Sequence, residues 1–345
     1  MKNSISNNSI FFWNTARDFL YHQLPDIRKV SSHTIDAYRD SLNRYIDYLT
    51  EEKKIFAKDI SFLMFSKSNL KDYLHWMLNI RKYAEKTCNL RLTAIHSLLE
   101  YAAVDNGAEL MAIYLEAINV KGIRVSAKPI EYFEAAQMKA LLAAPDIKHR
   151  IGRRNQMLLV LYYDTGARIS ELLEMKLSQL HLDAEIPYLT ILGKGRKYRI
   201  IPLMDKTVRY LKGYLKEFHQ AYNIESPIFY AVTHGQIHHL SSDTVEKMIC
   251  RYSEACTANG IIMPTKPHCH MIRKTRAMDL YQNGVPLPHI QQLLGHEDMS
   301  TTSDFYAFAT LDTLSKSMKA SNQGKDTDTI KKWKDKNVLK AMYRL

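Results

Sequence analysis

The chain is short of the residues that interrupt helices. Glycine and proline number only 12 and 10 in 345 residues, about half the usual share. That scarcity excludes collagen-like and low-complexity chains and points to a mainly α fold. Cysteine is scarce too: Cys88, Cys250, Cys256 and Cys269 are scattered, with no Cys-x-x-Cys pair. A disulfide scaffold is excluded, and free thiols in a reducing cytoplasm are expected. Long apolar runs are missing. The longest, Met157 to Tyr163, falls far below the roughly 20 residues a membrane helix needs. The patch Ile10 to Trp13 is too brief for a secretory signal, so no membrane partner is expected.

Acidic residues are outnumbered. Lys plus Arg is 48 against 36 for Asp plus Glu, a balance of +12. Such a field attracts phosphate polymers, although it also serves solubility. At roughly 150 residues per domain the length suggests about two domains.

The first dozen residues, polar and rich in Asn and Ser, are expected to fray. Ser31-Ser32 can cap a helix from Thr34 to Glu51, whose apolar positions recur every three or four residues. Further helices are predicted over Asn69–Ile80, from Ala84 onward, and over Glu109–Ile118. The polar side of the helix from Ala84 carries Lys86, Thr87, Asn89 and Arg91. Together, residues 10–120 make one helical domain. Residues 121–130 read as a linker, basic through Lys121, Arg124 and Lys128 and interrupted by Gly122 and Pro129. It is either a strap along a DNA backbone or a solvated tether. A second domain, 131–320, is again mostly helical. Asn155 to Asp164 is apolar nearly all round and should be buried. Pro187–Leu192 and Tyr198–Leu203, around Gly193-Lys-Gly-Arg-Lys197, are the only strong strand signals and read as an antiparallel hairpin. Residues 321–345 form a basic tail with Ile330, Trp333, Val338, Ala341 and Met342 near helical spacing. It either docks on a partner or folds back on its own domain.

Four pieces of the second domain offer chemistry together. They are Thr165-Gly-Ala-Arg168-Ile-Ser-Glu171-Leu, the Gly193-Lys194-Gly turn, His270-Met-Ile-Arg273, and Leu294-Gly-His296 followed by Thr301-Thr-Ser-Asp-Phe-Tyr306. Each alone is commonplace: an ion pair on a helix, a basic turn, a helix end. As a set they supply what phosphodiester cleavage without a metal requires. A tyrosine hydroxyl can attack phosphorus. Arginine forks and histidines can hold the charge that develops on the phosphoryl oxygens. A lysine can protonate the leaving 5′-oxygen. His268-Cys269-His270 lacks the further ligands a zinc site needs, so no metal or cofactor is expected.

In these segments the chain resembles the tyrosine recombinase (phage integrase) family. The helical first half is similar to that family's core-binding domain, through Ser32, Thr34, Tyr38 and Leu42 and through Lys86-Thr-Cys-Asn-Leu-Arg-Leu-Thr-Ala-Ile95. The resemblance spans roughly residues 10–315. It implies a SAM-like helical domain and a catalytic domain with a small antiparallel sheet, forming a clamp around double-stranded DNA. It implies that Arg168 and Arg273 clamp the scissile phosphate and that Lys194 is the general acid. His270 is then the general base or a phosphate ligand, and His296 a further phosphate donor. Tyr306 is the nucleophile, and Glu171 supports the pocket. It further implies a homotetramer on two DNA sites, with the tail on a neighbouring protomer, in the bacterial cytoplasm at the nucleoid. Candidate DNA contacts are Arg39, Arg44, Lys86, Asn89, Arg91, Lys121, Arg124 and Lys128.

Two departures stand out. Tyr306 follows His296 by ten positions, one more than is common in the family. Lys197 and Arg199 are alternative cations near the hairpin. Two other functions remain open from sequence: a nicking and resealing enzyme of the type IB topoisomerase kind, and a DNA-binding relative without catalysis. The role, whether integration and excision, transposition, inversion or dimer resolution, is not written in these motifs.

Overall fold

The computed structural model describes residues 5–104, 106–125, 130–193, 198–220 and 223–295. The chain divides into two compact units, Met1–Lys128 and Pro129–Leu345.

The first unit is helical: α1 (Ser9–Asp18), α2 (Ser32–Glu51), α3 (Lys67–His75), α4 (Glu85–Val104) and α5 (Ala108–Ala117). Serines start two of them. The Ser31 and Ser66 hydroxyls accept from the amides of Thr34 and Asn69, meeting donors that a helix start leaves open. α1 and α3 each run on into widened turns, over Phe19–Ile27 and Trp76–Ile80. The core is strongly aromatic. Tyr45 packs on Phe65 and Tyr73 with ring centroids 4.8 and 4.9 Å apart, among buried Phe12, Phe62 and Trp76.

The expected fraying of the first dozen residues is overturned for those described, which include the start of α1, while residues 1–4 lie outside the described residues. Asn8 caps it, accepting from the Phe11 amide, and Phe12 is 2% exposed against Phe62 and Phe65. Phe12, with Phe11 packed beside it on Phe62, outweighs the polar run that precedes them, because burying a Phe is worth roughly 1.5–3 kcal/mol. The stretch read as a linker also starts under restraint. Asn89 on α4 donates to the Ile123 carbonyl (2.9 Å) and accepts from the Ile123 amide (2.7 Å). Gly122 permits this approach, since a Cβ there would lie 2.8 Å from Asn89 Oδ1.

The second unit contains α6 (Ala135–Ala143), α7 (Arg150–Thr165), α8 (Ile169–Leu173), β1 (Leu180–His181), β2 (Tyr188–Leu192), β3 (Tyr198–Pro202), α9 (Asp205–Phe218), β4 (Tyr230–Thr233), β5 (Gln236–His239), α10 (Ser242–Ala258), α11 (Cys269–Gln282) and α12 (Leu287–Leu294). β1, β2 and β3 form an antiparallel sheet in that order, with Leu192 opposite Tyr198. α7 is buried as its apolar surface predicts, and it packs on α9 and α11.

A second antiparallel pair, β4 and β5, was not legible among the strand signals. Its two-residue turn, His234-Gly235, has φ of 49° and 76° at the two positions. That is the left-handed pair a tight hairpin needs. The strands are short and largely exposed, so no buried alternation marks them in the sequence. Among the described residues no helix is long and apolar enough to cross a membrane.

Candidate functional site

The site is built where α7, α8, β3, α11 and α12 meet. α7 ends at Gly166, whose φ of 56° suits glycine, and a Cβ there would come within 3.0 Å of Leu294 Cδ2. This close approach brings the end of α7 against the end of α12.

Arg168 occupies the N-cap of α8. An arginine has no acceptor with which to cap, so Glu171, three residues on, takes the role from within the helix. Its carboxylate accepts from the Arg168 amide (2.8 Å) and from Arg168 Nη1 (2.8 Å). Arg199, reaching in from β3, adds two parallel bonds, Nη2 to Oε2 at 2.6 Å and Nη1 to Oε1 at 3.1 Å. The Glu171 side chain is only 7% exposed and the Arg199 side chain 9%. Burial alone would push the Glu171 carboxyl up, but the bonds from Arg199 and Arg168 outweigh it and hold the group below its ordinary value.

Arg273 lies on the inner face of α11, 2% exposed. Its Nη1 donates to the Gly166 carbonyl (2.8 Å) and its Nη2 to the Leu294 carbonyl (2.7 Å). Burial, and then the nearby Arg168 charge, push it down to about 10. Around neutral pH it therefore stays a cation.

A pattern emerges at the end of α12. Three consecutive carbonyls are each held by a different arginine. Leu293 accepts from Arg199 Nε (3.0 Å), Leu294 from Arg273 Nη2 (2.7 Å), and Gly295 from Arg168 Nη2 (3.1 Å). A helix C-terminus leaves such carbonyls without partners and carries partial negative charge. Here both needs are met by guanidinium groups.

His270 stands one turn before Arg273 on α11, open to solvent. Partial burial, followed by the charges of Arg273, Lys274, His268 and Arg168, pushes its imidazole down to about 4. The ring is neutral at pH 7 and surrounded by cations. Behind it, the Tyr162 hydroxyl donates to the Cys269 carbonyl (2.7 Å), and Glu246 accepts from the Cys269 amide (2.9 Å). These contacts fix the start of α11.

Thus Arg168, Glu171, His270 and Arg273 converge. Lys194, His296 and Tyr306, together with the tail, lie outside the described residues. Gly295, the last described residue, is the sequence neighbour of His296. Arg199, which the sequence offers only as an alternative cation near the hairpin, is the residue whose pairing with Glu171 sequence reasoning missed. Its signal was strand alternation: Ile201, two positions along β3, is fully buried, so Arg199 shares its inward face.

The expected DNA contacts on the first unit are placed differently from one another. Lys86, Lys121 and Arg124 are exposed. Arg39 pairs with Asp36 (2.6 Å), and Arg44 with Asp47 (2.9 Å) and Asp40 (3.5 Å). Arg91 is not on the open polar side of α4. It is 8% exposed, stacked over the Tyr83 ring at 4.8 Å and paired with Asp40 at 3.1 Å. Asn89 is engaged with Ile123 as described above. Lys128 lies outside the described residues. Among the described residues no three His, Cys, Asp or Glu side chains cluster as metal ligands.

Comparison with known proteins places both units. Residues 131–311 match the model of the phage integrase family, and residues 18–106 match the phage integrase N-terminal SAM-like domain. A protein of Sinorhizobium fredii named as integrase/recombinase y4rC is 30% identical over 294 residues, covering 85% of this chain and 86% of its own. Tyrosine recombinase XerC of Chlamydia caviae is 28% identical over 300 residues, covering 81% of this chain and 90% of its own. Among solved structures, XerH recombinase bound to its difH substrate aligns with a TM-score of 0.65 at 18% identity, covering 88% of this chain and 94% of that one. The Tn1549 transposon integrase with transposon right-end DNA aligns with a TM-score of 0.66 at 16% identity, covering 90% and 98%. At these identities the structural likeness speaks to the fold.

Proposed function

The chain belongs to the phage integrase family of tyrosine recombinases, and from that premise we propose how its own residues cut and rejoin DNA. The enzyme is a site-specific recombinase of the integration and transposition kind. The observation that carries the reading is the convergence of Arg168 and Arg273 on adjacent carbonyls, Gly295 and Leu294, one residue before His296 in the chain.

Arg168 and Arg273 grip the non-bridging oxygens of the scissile phosphate with the donors the carbonyls leave free. Tyr306 Oη attacks phosphorus. The new O–P bond forms as the bond from phosphorus to the 5′-oxygen breaks. Lys194 gives its proton to that oxygen, while His270 accepts the tyrosine proton and His296 holds the phosphate. The neutral state of His270 suits a proton acceptor, and the arriving phosphate charge raises its basicity. The product is a 3′-phosphotyrosyl link and a free 5′-hydroxyl. A 5′-hydroxyl from a second strand then attacks the link and reverses the same transfers, so no external energy source enters.

Glu171 neutralises one charge among the arginines and fixes Arg168. Lys86, Lys121 and Arg124 provide phosphate contacts from the first unit, and both units engage the duplex. A homotetramer on two sites, with residues 321–345 on the neighbouring protomer, completes the assembly, working in the bacterial cytoplasm at the nucleoid.

The test is covalent trapping. Nicked duplexes tiled across the DNA flanking the gene are incubated with wild type and with Tyr306→Phe. An SDS-resistant adduct that requires Tyr306, with the 3′-end blocked, is the expected result. Tight binding with no adduct on any duplex would overturn the enzymatic reading.

A further inference from the structure

Resting on this enzymatic reading, we infer that Arg199 is a positioning residue for strand cleavage, tying β3 both to the Glu171–Arg168 pair and to the carbonyl end of α12.

Three sets of contacts carry this. Its two terminal nitrogens pair with both oxygens of Glu171, at 2.6 and 3.1 Å, in the fork geometry that lysine cannot reproduce. Its Nε donates to the Leu293 carbonyl at 3.0 Å. Its side chain packs against Gly295: a Cβ there would be 3.1 to 3.3 Å from Arg199 Nη1, Cδ and Cζ. The residue thus spends its Nε and both terminal nitrogens inward, and only 9% of its side chain meets solvent. A cation engaged in this way does not serve as the general acid that the sequence assigns to the Gly193–Lys197 segment. It does decide where Glu171 sits, and Glu171 in turn holds Arg168 by both its amide and its guanidinium.

The joint spans pieces far apart in sequence. β3 follows the Gly193–Lys197 segment, α8 carries Arg168, and α12 leads to His296. Without Arg199 the Glu171 carboxylate keeps only Arg168 as a bonded partner, and the Leu293 carbonyl loses its side-chain donor. The charged and titratable groups that face Glu171 are Arg168 from α8, Arg199 from β3, Arg273 from α11 and Tyr162 from α7. With Arg199 gone, Glu171 takes up a proton at higher pH, and a protonated Glu171 holds Arg168 less well.

The experiment uses the full chain and compares wild type, Arg199→Gln, Arg199→Lys, Glu171→Gln and the Arg199→Gln/Glu171→Gln double variant. Single-turnover adduct formation on a nicked duplex is measured across pH, with DNA affinity measured separately. Arg199→Gln should slow adduct formation by about 10²-fold, the scale of a misplacement near 1 Å, and change DNA affinity by less than about 3-fold, since no phosphate contact is lost. Its acid limb should move to higher pH, and Arg199→Lys should recover part of the rate. In the Glu171→Gln background the same change should add little. An equal loss in both backgrounds, or a loss of affinity in proportion to rate, would overturn the inference.

Hydrogen exchange without DNA keeps the inference testable apart from catalysis. Exchange in residues 290–295 should speed up in Arg199→Gln while α10 is unchanged, and unchanged exchange at 290–295 would also overturn it. Absence of adduct from wild type would count against the enzymatic reading, and the exchange result would still decide the joint.

Discussion

Arg273 joins two helix ends with one guanidinium: Nη1 donates to Gly166 at the end of α7, and Nη2 donates to Leu294 at the end of α12. The arginine proposed to clamp the scissile phosphate is therefore also a strut. Replacing it by lysine keeps a charge and loses the fork. Arg273→Lys should reduce adduct formation about 10²–10³-fold, the usual loss for a preorganised donor. Because a buried carbonyl is left without a partner, unfolding free energy should fall by about 1–3 kcal/mol. Urea denaturation alongside the trapping assay checks both, and unaltered stability would contradict the strut.

Gly166→Ala tests the approach of those two helix ends from the other side. The left-handed backbone costs a non-glycine residue about 1–2 kcal/mol, and the new methyl meets Leu294 at 3.0 Å. Since Leu294 supplies an acceptor of Arg273, cleavage should slow along with the loss of stability. A destabilised variant that cleaves at the wild-type rate would separate the two.

His270 gives a pH signature with a definite sign. Its folded value is about 4, while an unfolded histidine titrates near about 6.5. Between those values the unfolded chain binds more protons, so this group makes stability rise with pH. Its contribution is complete above about pH 6.5 and is lost as pH falls toward 4. Urea unfolding of wild type and His270→Asn from pH 4 to 7 should show a shallower slope in the variant. Equal slopes would contradict the neutral, cation-flanked imidazole.

Two cations on α4 should behave in opposite ways. Lys86 is exposed, and Lys86→Ala should lower the slope of log Kd against log salt by about 1 with no change in melting temperature. Arg91 is buried against Tyr83 and Asp40. Arg91→Ala should lower the melting temperature through lost packing against Tyr83 and the loss of one of the two arginines that pair with Asp40. Fluorescence anisotropy over a salt series and thermal melts distinguish the pair.

What was legible in the sequence followed local rules. The stripe of α2 and its serine cap, the buried α7, and the β2–β3 pairing all rest on periodicity and turn chemistry. Arg168 and Glu171 stand one turn apart, and His270 and Arg273 share a helix face, so each pair could be read from spacing. The illegible parts are long-range. Nothing local reveals that Arg199 meets Glu171 twenty-eight positions earlier, or that Asn89 holds Ile123 thirty-four positions later. Arg91 read as a surface cation because its partners, Asp40 and Tyr83, come from another helix and a turn. α1 was hidden because its apolar patch, Ile10 to Trp13, is short and follows a polar run, and β4–β5 by strands with little buried face.

The carbonyl row at the end of α12 bears on the enzyme before it meets DNA. Three guanidinium groups gathered in one place repel one another and would tend to splay. Leu293, Leu294 and Gly295 act as a resident surrogate anion, and Glu171 supplies a full negative charge beside them. The three guanidinium groups are thus gathered, with their charge partly offset, before DNA is present. If Arg168 and Arg273 hold the scissile phosphate as proposed, they do not have to be collected when it arrives, and little reorganisation stands between encounter and reaction.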